Sequence, residues 1–253
     1  IRDSLHGCFG RKVFQGRIET LEDGAQRLVL KAESPAGEDG FPGNMAVSVA
    51  YTLTEDNALV MDYTAVTDGA TPVNLTNHSY FNLEGCASGS VLEQRLTIFA
   101  GRFLEANEQT CPTGRILGVE DTPFDFRAGK LIGAGLREED DGGQLAMAHG
   151  YDHCFVLDKL PGQLALAAKA YAYKTGISME VFTTQPGMQL YTANFLAQDG
   201  VDGKTGGPHA DKQAFCLETQ HYPCTPSHPE FPGVVLRPEE EYHETTIYRF
   251  GVE

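Results

Sequence analysis

Apolar side chains recur at every second position in several stretches of the chain, and this period of two limits the possible folds most. It runs through residues 47–53, where Val, Tyr and Leu alternate with Ser, Ala and Thr, and again through residues 177–183. Side chains of a β-strand point alternately to its two faces, so each stretch offers one face to a core. The alternation therefore predicts strands with one buried face.

Turn-forming sequences separate these stretches, as at Pro112-Thr113-Gly114 and Phe231-Pro232-Gly233. Residues 129–140 suggest one short helix, although their glycines weaken it. Strands without interleaved helices are typical of an antiparallel all-β fold. We predict a β-sandwich with few short helices, organised as a single domain over residues 1–253, because no repeat or linker-like composition break interrupts it.

The charge balance excludes whole classes of partner. The chain carries 35 Asp and Glu against 19 Lys and Arg, a net charge of −16, and its basic residues do not cluster. Such a field repels phosphate backbones, so nucleic acid and anionic membranes are poor partners. Neither a signal peptide nor an apolar stretch long enough to span a membrane is visible. The six scattered cysteines, with no CxxC pair, favour free thiols and a cytoplasmic location.

Polar residues concentrate in three otherwise apolar segments, of which residues 74–83 are the first. Asn74, Asn77, His78 and Asn82 lie there among aromatic residues. Buried amides and imidazoles must find hydrogen-bond partners, so this density indicates either an internal network or a polar ligand. A histidine satisfied within the core is the alternative.

The second segment is Gly150–Phe155. Asp152 and His153 are neighbours in it, so on a strand they point to opposite faces and only one of them enters a given pocket. His149 and His153 have the spacing of zinc ligands on a helix, but Gly150 argues against a helix here.

The third segment, residues 214–222, contains Glu218 on a face whose other members are Ala214 and Cys216. A carboxylate among small, weakly polar neighbours is partly desolvated, which raises its pKa toward the range of a general base. The alternative is an exposed or ion-paired Glu218 at the end of the strand.

These segments favour acid–base chemistry over the common hydrolytic alternatives. A serine hydrolase requires a GxSxG elbow, and residues 85–89 have their serine in the wrong place. A glycosidase requires two facing carboxylates, for which only Glu218 and Asp152 are available. A histidine and a glutamate from separate segments form an acid–base pair if the fold brings them together.

The string NLTNHSYFNL at residues 74–83 closely resembles the signature of the aldose 1-epimerase, or galactose mutarotase, family. Further elements resemble this family in the same order, from about residue 3 to the C-terminus. They are Asp3–Gly7 (with Asp in place of the usual Asn), Gly150–Phe155, Thr183–Tyr191, Leu217–Gln220 and the closing Leu236–Thr246.

The resemblance implies a large antiparallel sandwich of the galactose mutarotase type. Such an enzyme interconverts the α and β anomers of a free hexose, such as galactose or glucose, without a metal or cofactor. By matching motifs, Glu218 corresponds to the general base and His78 to the general acid. His6, Asp152 and Gln189 correspond to sugar-binding residues. The neighbouring Tyr80 and Phe81 either line the pocket or belong to the core, and we favour the core.

One departure from the family pattern concerns the start of the chain. The family carries strands, and an arginine that reaches the sugar, upstream of the element that begins here at Asp3. We therefore expect the N-terminal part of the family fold to be missing. Two alternatives stay open: a non-catalytic sugar-binding module, and a hexose-6-phosphate 1-epimerase. The net charge and the lack of clustered arginines disfavour the second.

Overall fold

The computed structural model describes residues 8–137, 143–200, 202–204 and 206–253, and strands dominate them. The strands are β1 (Gln15–Thr20), β2 (Gln26–Ser34), β3 (Met45–Leu53), β4 (Ala58–Thr67), β5 (Thr71–Pro72), β6 (Arg95–Ile98), β7 (Arg102–Ala106), β8 (Pro112–Gly118), β9 (Lys130–Leu131), β10 (Asp152–Val156), β11 (Ala165–Tyr171), β12 (Ile177–Thr183), β13 (Gly187–Tyr191), β14 (Cys216–Gln220), β15 (Val235–Leu236) and β16 (Tyr242–Val252). The predicted antiparallel all-β class is confirmed.

Helical structure in the described residues is brief. Two α-helices, α1 (Ile132–Gly135) and α2 (Gln144–Met147), have four residues each. Short 3-10 turns lie at Cys8–Arg11, Glu38–Gly40, Leu196–Asp199 and Thr225–Ser227. None of the helices in the described part of the chain is long and apolar enough to cross a membrane.

The helix predicted over residues 129–140 is present only as the short α1. Gly129 adopts a positive φ of 72°, which places it in a turn before the helix. Gly135 lies so close to Tyr151 that a Cβ there would collide with the Tyr151 hydroxyl. These glycines therefore serve a turn and a close approach, and residues 138–140 of the predicted helix fall outside those that the structure describes.

The chain forms two compact units. The first runs to Leu75 and resumes over Gly233–Arg249, and the second comprises Thr76–Pro232 with Phe250–Glu253. In the first unit, strands β1, β2, β3, β4 and β16 pair antiparallel in that order. The predicted alternation is visible here, because Val47 and Val49 on β3 and Met61 on β4 are buried. That the whole chain is one domain stays a prediction.

The second unit contains two antiparallel strand groups. Strands β12, β11, β6 and β9 pair in that order, and a five-stranded sheet has the order β14, β13, β10, β7, β8. Its core holds buried aromatic side chains, among them Phe103, Phe124 and Phe155. Three of the predicted site residues lie on the five-stranded sheet: Asp152 on β10, Gln189 on β13 and Glu218 on β14. The fourth described one, His78, lies in the segment beside β14.

Candidate active site

The described site is centred on β14, β13 and β10, the first three strands of the five-stranded sheet. Glu218 lies directly opposite Gln189 on β13, and Gln189 lies opposite Cys154 on β10. Directly paired residues of antiparallel strands share a face. One face of these strands therefore carries Glu218, Gln189 and, two residues from Cys154, Asp152.

The neighbours Asp152 and His153 do point to opposite faces, as their spacing predicts. Asp152 joins the face of Glu218, whereas His153 is buried in an aromatic cluster, with its ring centre 4.8 Å from that of Phe124. Burial lowers the pKa of His153 to about 3, so its imidazole stays neutral. His153 is thus a core residue, and it belongs to no group of three metal-binding side chains in the described residues.

His78 reaches the same face through a backbone bridge between its segment and Phe215, the residue just before β14. The Phe81 amide donates to the Phe215 carbonyl at 2.8 Å, and the Phe215 amide donates back at 3.0 Å. In antiparallel pairing, a step back along one segment matches a step forward along the other. Three steps from this bridge bring His78 opposite Glu218.

His78 and Glu218, two titratable groups that the sequence singles out, lie side by side on this face. His78 Nε2 lies 3.5 Å from Glu218 Oε1, which is close but longer than a normal hydrogen bond. Only 6% of Glu218 is exposed, and this burial, followed by the charge of Asp152, raises its pKa to about 8. The desolvated glutamate is confirmed, and the exposed strand-end alternative is wrong, because Glu218 lies at the centre of β14.

A chain of amide hydrogen bonds holds the sugar-binding candidates in place. Gln220 Nε2 donates to Gln189 Oε1 at 3.3 Å, and Gln189 Nε2 donates to Asp152 Oδ1 at 2.7 Å. Bonds to a carboxylate are stronger than those between neutral groups, so the second link fixes the Asp152 carboxylate. Asp152 and Gln189 are half-buried, so both side chains are accessible from solvent on this face.

Two tyrosines contact the His78 ring: Tyr80, which the sequence favours as a core residue, and Tyr191, which it does not single out. Tyr80 stacks on the His78 ring with centres 4.9 Å apart, and Tyr191 meets it edge-on at 5.9 Å. The prediction that Tyr80 belongs to the core is wrong, because 49% of it is exposed. Phe81 does pack against Phe215. The alternation along β13 could have identified Tyr191, which lies two residues after Gln189.

His6 and the rest of residues 1–7 lie outside the described residues, so His6 stays a prediction. The other four predicted site residues share the second unit and one face. Cys216 and Gln220, two residues either side of Glu218, complete that face. The arrangement provides a desolvated carboxyl, an imidazole beside it, and fixed polar groups around both.

A buried Glu218 with a raised pKa has a measurable effect on stability. Between the ordinary carboxyl pKa of 4.5 and about 8, the unfolded state loses the proton that the folded state keeps, so stability falls as pH rises. We expect Glu218→Gln to match the parent near pH 4.5 and to be more stable by about 2–4 kcal/mol at pH 9. Its Tm at pH 9 should rise by roughly 5 °C or more.

Thermal unfolding from pH 5 to pH 9 measures this gap. Glu120→Gln, at an exposed position, is the matched control, and its Tm difference from the parent should not grow with pH. A Glu218→Gln difference that is constant across this range would contradict the desolvated carboxyl.

Comparison with known proteins places the chain in a family. The family model described as aldose 1-epimerase matches residues 2–249. The galactose mutarotase of Rattus norvegicus is 42% identical over 252 residues, covering 99% of this chain and 70% of the relative. The aldose 1-epimerase of Escherichia coli is 37% identical, covering 99% and 71%.

Solved structures agree with this assignment. The aldose epimerase homologue from C. elegans superposes with a TM-score of 0.84 at 28% identity, covering 97% of this chain and 71% of that one. The galactose 1-epimerase from Lactobacillus acidophilus gives a TM-score of 0.80 at 26% identity, covering 95% and 67%. The predicted mutarotase-type fold is confirmed. The chain therefore belongs to the aldose 1-epimerase family.

Proposed function

We propose that this isomerase interconverts the α and β anomers of a free, unphosphorylated hexose, such as galactose or glucose, with Glu218 as general base and His78 as general acid. One observation carries the proposal above the others. A glutamate held in a desolvated environment, with its pKa near 8, lies 3.5 Å from an imidazole nitrogen. The matching family and the aldose 1-epimerase names of the relatives support the same reaction.

The reaction needs two proton transfers around one carbon atom. Glu218 accepts the proton of the C1 hydroxyl while His78, as imidazolium, donates a proton to the ring oxygen. The bond between C1 and the ring oxygen breaks, leaving an open-chain aldehyde. Rotation about C1–C2 exposes the other carbonyl face, and the two residues then return their protons in reverse as the ring closes.

The short distance between acid and base suits this chemistry. The hydroxyl oxygen and the ring oxygen are both bonded to C1, so the groups that serve them must lie close together. The bridge between Phe81 and Phe215 provides this closeness by placing His78 opposite Glu218. Asp152 and Gln189, linked at 2.7 Å, are suited to hold sugar hydroxyls on the same face.

The charge of the site favours a neutral sugar. Glu218 and Asp152 share one face of the sheet, and the whole chain carries a net charge of −16. A phosphate group entering this face would meet the carboxyl groups of Glu218 and Asp152, which disfavour an anion. Five described cysteines are free thiols, which supports our expectation of a reducing, cytoplasmic location.

Polarimetry tests the function directly. We expect the purified protein to accelerate the change in optical rotation of freshly dissolved α-glucose or α-galactose, and to leave a hexose 6-phosphate at its spontaneous rate. Sugar binding without acceleration would contradict the enzyme and identify a binding module. Preference for the 6-phosphate would contradict the neutral-sugar proposal.

The raised pKa of Glu218 predicts an unusual pH profile. A base must be ionised to act, so kcat/KM should fall as pH drops below about 8, far above the usual carboxyl range. Deprotonation of a general acid would have the opposite effect, because it lowers kcat/KM as pH rises. Asp152→Asn should move this limb to lower pH, because removing the Asp152 charge removes the second cause of the raised pKa. Enzymatic rates, corrected for spontaneous mutarotation, measure the limb.

Asp62→Asn is the matched control for Asp152→Asn, because Asp62 lies on β4 in the first unit and bonds Thr245 at 2.6 Å. Its pH profile should follow the parent. The electrostatic effect of Asp152 changes the pH at which kcat/KM falls. Loss of a sugar contact changes the maximum value of kcat/KM instead, so the two effects are distinguishable. A limb at pH 4–5 in the parent would rule out Glu218 as the desolvated base.

A further inference from the structure

Cys216 gives the site a third donor that the proposed reaction does not use. Its Sγ lies 3.4 Å from Nδ1 of His78, whereas Glu218 Oε1 lies 3.5 Å from Nε2 of the same ring. Cys216 is fully buried on the face that also carries Glu218. The ligand atoms of His78, Cys216 and Glu218 all lie within 4.8 Å of one another.

The spacing of these donors matches what a single small cation requires. Zinc binds sulfur at about 2.3 Å and an imidazole nitrogen at about 2.0–2.1 Å. In a tetrahedral arrangement those bonds place sulfur and nitrogen roughly 3.5 Å apart. The separation of 3.4 Å between Cys216 Sγ and His78 Nδ1 is therefore already that of two ligands on one ion.

The donor types also select a class of metal. A thiolate, an imidazole and a carboxylate suit borderline-soft ions such as Zn²⁺, whereas Mg²⁺ and Ca²⁺ prefer oxygen ligands alone. Asp152 adds a second carboxyl on the same face, which favours a cation electrostatically. One quarter of the His78 side chain is exposed, so an ion has a way in from solvent.

We propose that His78, Cys216 and Glu218 form a binding site for one borderline-soft divalent cation, represented by Zn²⁺, which inhibits the enzyme. On binding, the Cys216 thiol releases its proton to solvent as the metal–sulfur bond forms, and no atom changes oxidation state. Water completes the coordination.

The expected inhibition rests on the proposed function, although metal binding does not. A cation on the Glu218 carboxylate occupies the lone pair that accepts the C1 hydroxyl proton, and a cation on one nitrogen of His78 prevents the ring from becoming the imidazolium that serves as the acid. Metal and sugar therefore compete for one face. Zinc should inhibit reversibly, a chelator should restore activity, and saturating sugar should weaken the inhibition.

Cobalt binding tests the site without relying on activity. Co²⁺ replaces Zn²⁺ at such sites, and a bound thiolate gives an intense charge-transfer band in the near ultraviolet. We expect this band in the parent protein after metal removal and Co²⁺ titration, and its loss in Cys216→Ser. The zinc concentration for half-inhibition should rise in that variant by about 10–100-fold or more. Loss of a residue that only hydrogen-bonds a metal ligand already costs that much affinity, and Cys216 is proposed as a ligand itself.

Controls must separate Cys216 from the other thiols. Cys111 and Cys224 contact each other and offer a competing thiol pair, and Cys86 is exposed. Cys224→Ser and Cys86→Ser should keep both the cobalt band and the zinc inhibition. Cys216→Ala provides a second variant if serine perturbs folding.

Three results would overturn the proposal: no thiolate band in the parent, a band that persists in Cys216→Ser and Cys216→Ala, or a band lost in Cys224→Ser. A parent protein with a cobalt band but no mutarotation would overturn the proposed function and leave the metal site intact. If the parent catalyses mutarotation and Cys216→Ser is equally sensitive to zinc, the metal site is overturned and the proposed function stands.

Discussion

Replacing Glu218 by glutamine is expected to slow catalysed mutarotation by about a thousandfold, within the range that general acid–base catalysis contributes. The amide keeps the size and much of the hydrogen bonding of the carboxyl, but it cannot accept the proton of the C1 hydroxyl. The expected gain in stability at pH 9 makes this loss easy to interpret. A variant that is more stable yet inactive has lost a chemical group and kept its fold.

The measurement is the initial change in optical rotation of α-galactose and α-glucose, corrected for the spontaneous rate. Glu120→Gln is again the matched control and should retain the parental rate. Sugar affinity, followed by calorimetry because the chain has no Trp, should change little in Glu218→Gln. A variant that kept more than about a tenth of the parental kcat would show that Glu218 is not the base.

His78→Asn is expected to reduce the rate by about 100–10,000-fold, because asparagine has no titratable proton to give to the ring oxygen. His149→Asn is the matched control. His149 is exposed, its ring contacts Phe195, and its φ of 56° is one that asparagine adopts readily. That variant should keep the parental rate.

The double variant Glu218→Gln with His78→Asn sharpens the assignment. Residues that act on the same step give strongly non-additive losses, so the double variant should be hardly slower than the slower single variant. Losses that multiply would indicate that the two residues act independently. Activity retained in His78→Asn would assign the acid to another group.

The face of the strand on which each side chain lies could be predicted from the sequence, but the pairing between distant segments could not. The small neighbours of Glu218 correctly indicated a desolvated carboxyl. The adjacency of Asp152 and His153 correctly placed them on opposite faces, although only the burial of His153 among Phe103 and Phe124 shows which one belongs to the core. Spacing alone says nothing of His78 and Glu218, which the resemblance paired.

The error over Tyr80 has a physical cause. Its segment is not a strand of the sheet, and its backbone pairs through the isolated bridge between Phe81 and Phe215, so neither the alternation nor the aromatic content of the segment reports burial there. Cys216 was noted only as a small neighbour of Glu218. Its proximity to His78 depends on that same bridge.

The bridge between Phe81 and Phe215 also bears on how activity would return after denaturation. It joins parts of the chain that are far apart, since His78 and its neighbour Cys216 are 138 residues apart. Closing so long a segment is entropically unfavourable, and such contacts form slowly compared with those of hairpins such as β3–β4. Activity would then be among the last properties to return during refolding. Local opening of the two backbone hydrogen bonds of this bridge would inactivate the enzyme while most of its sheets stayed intact.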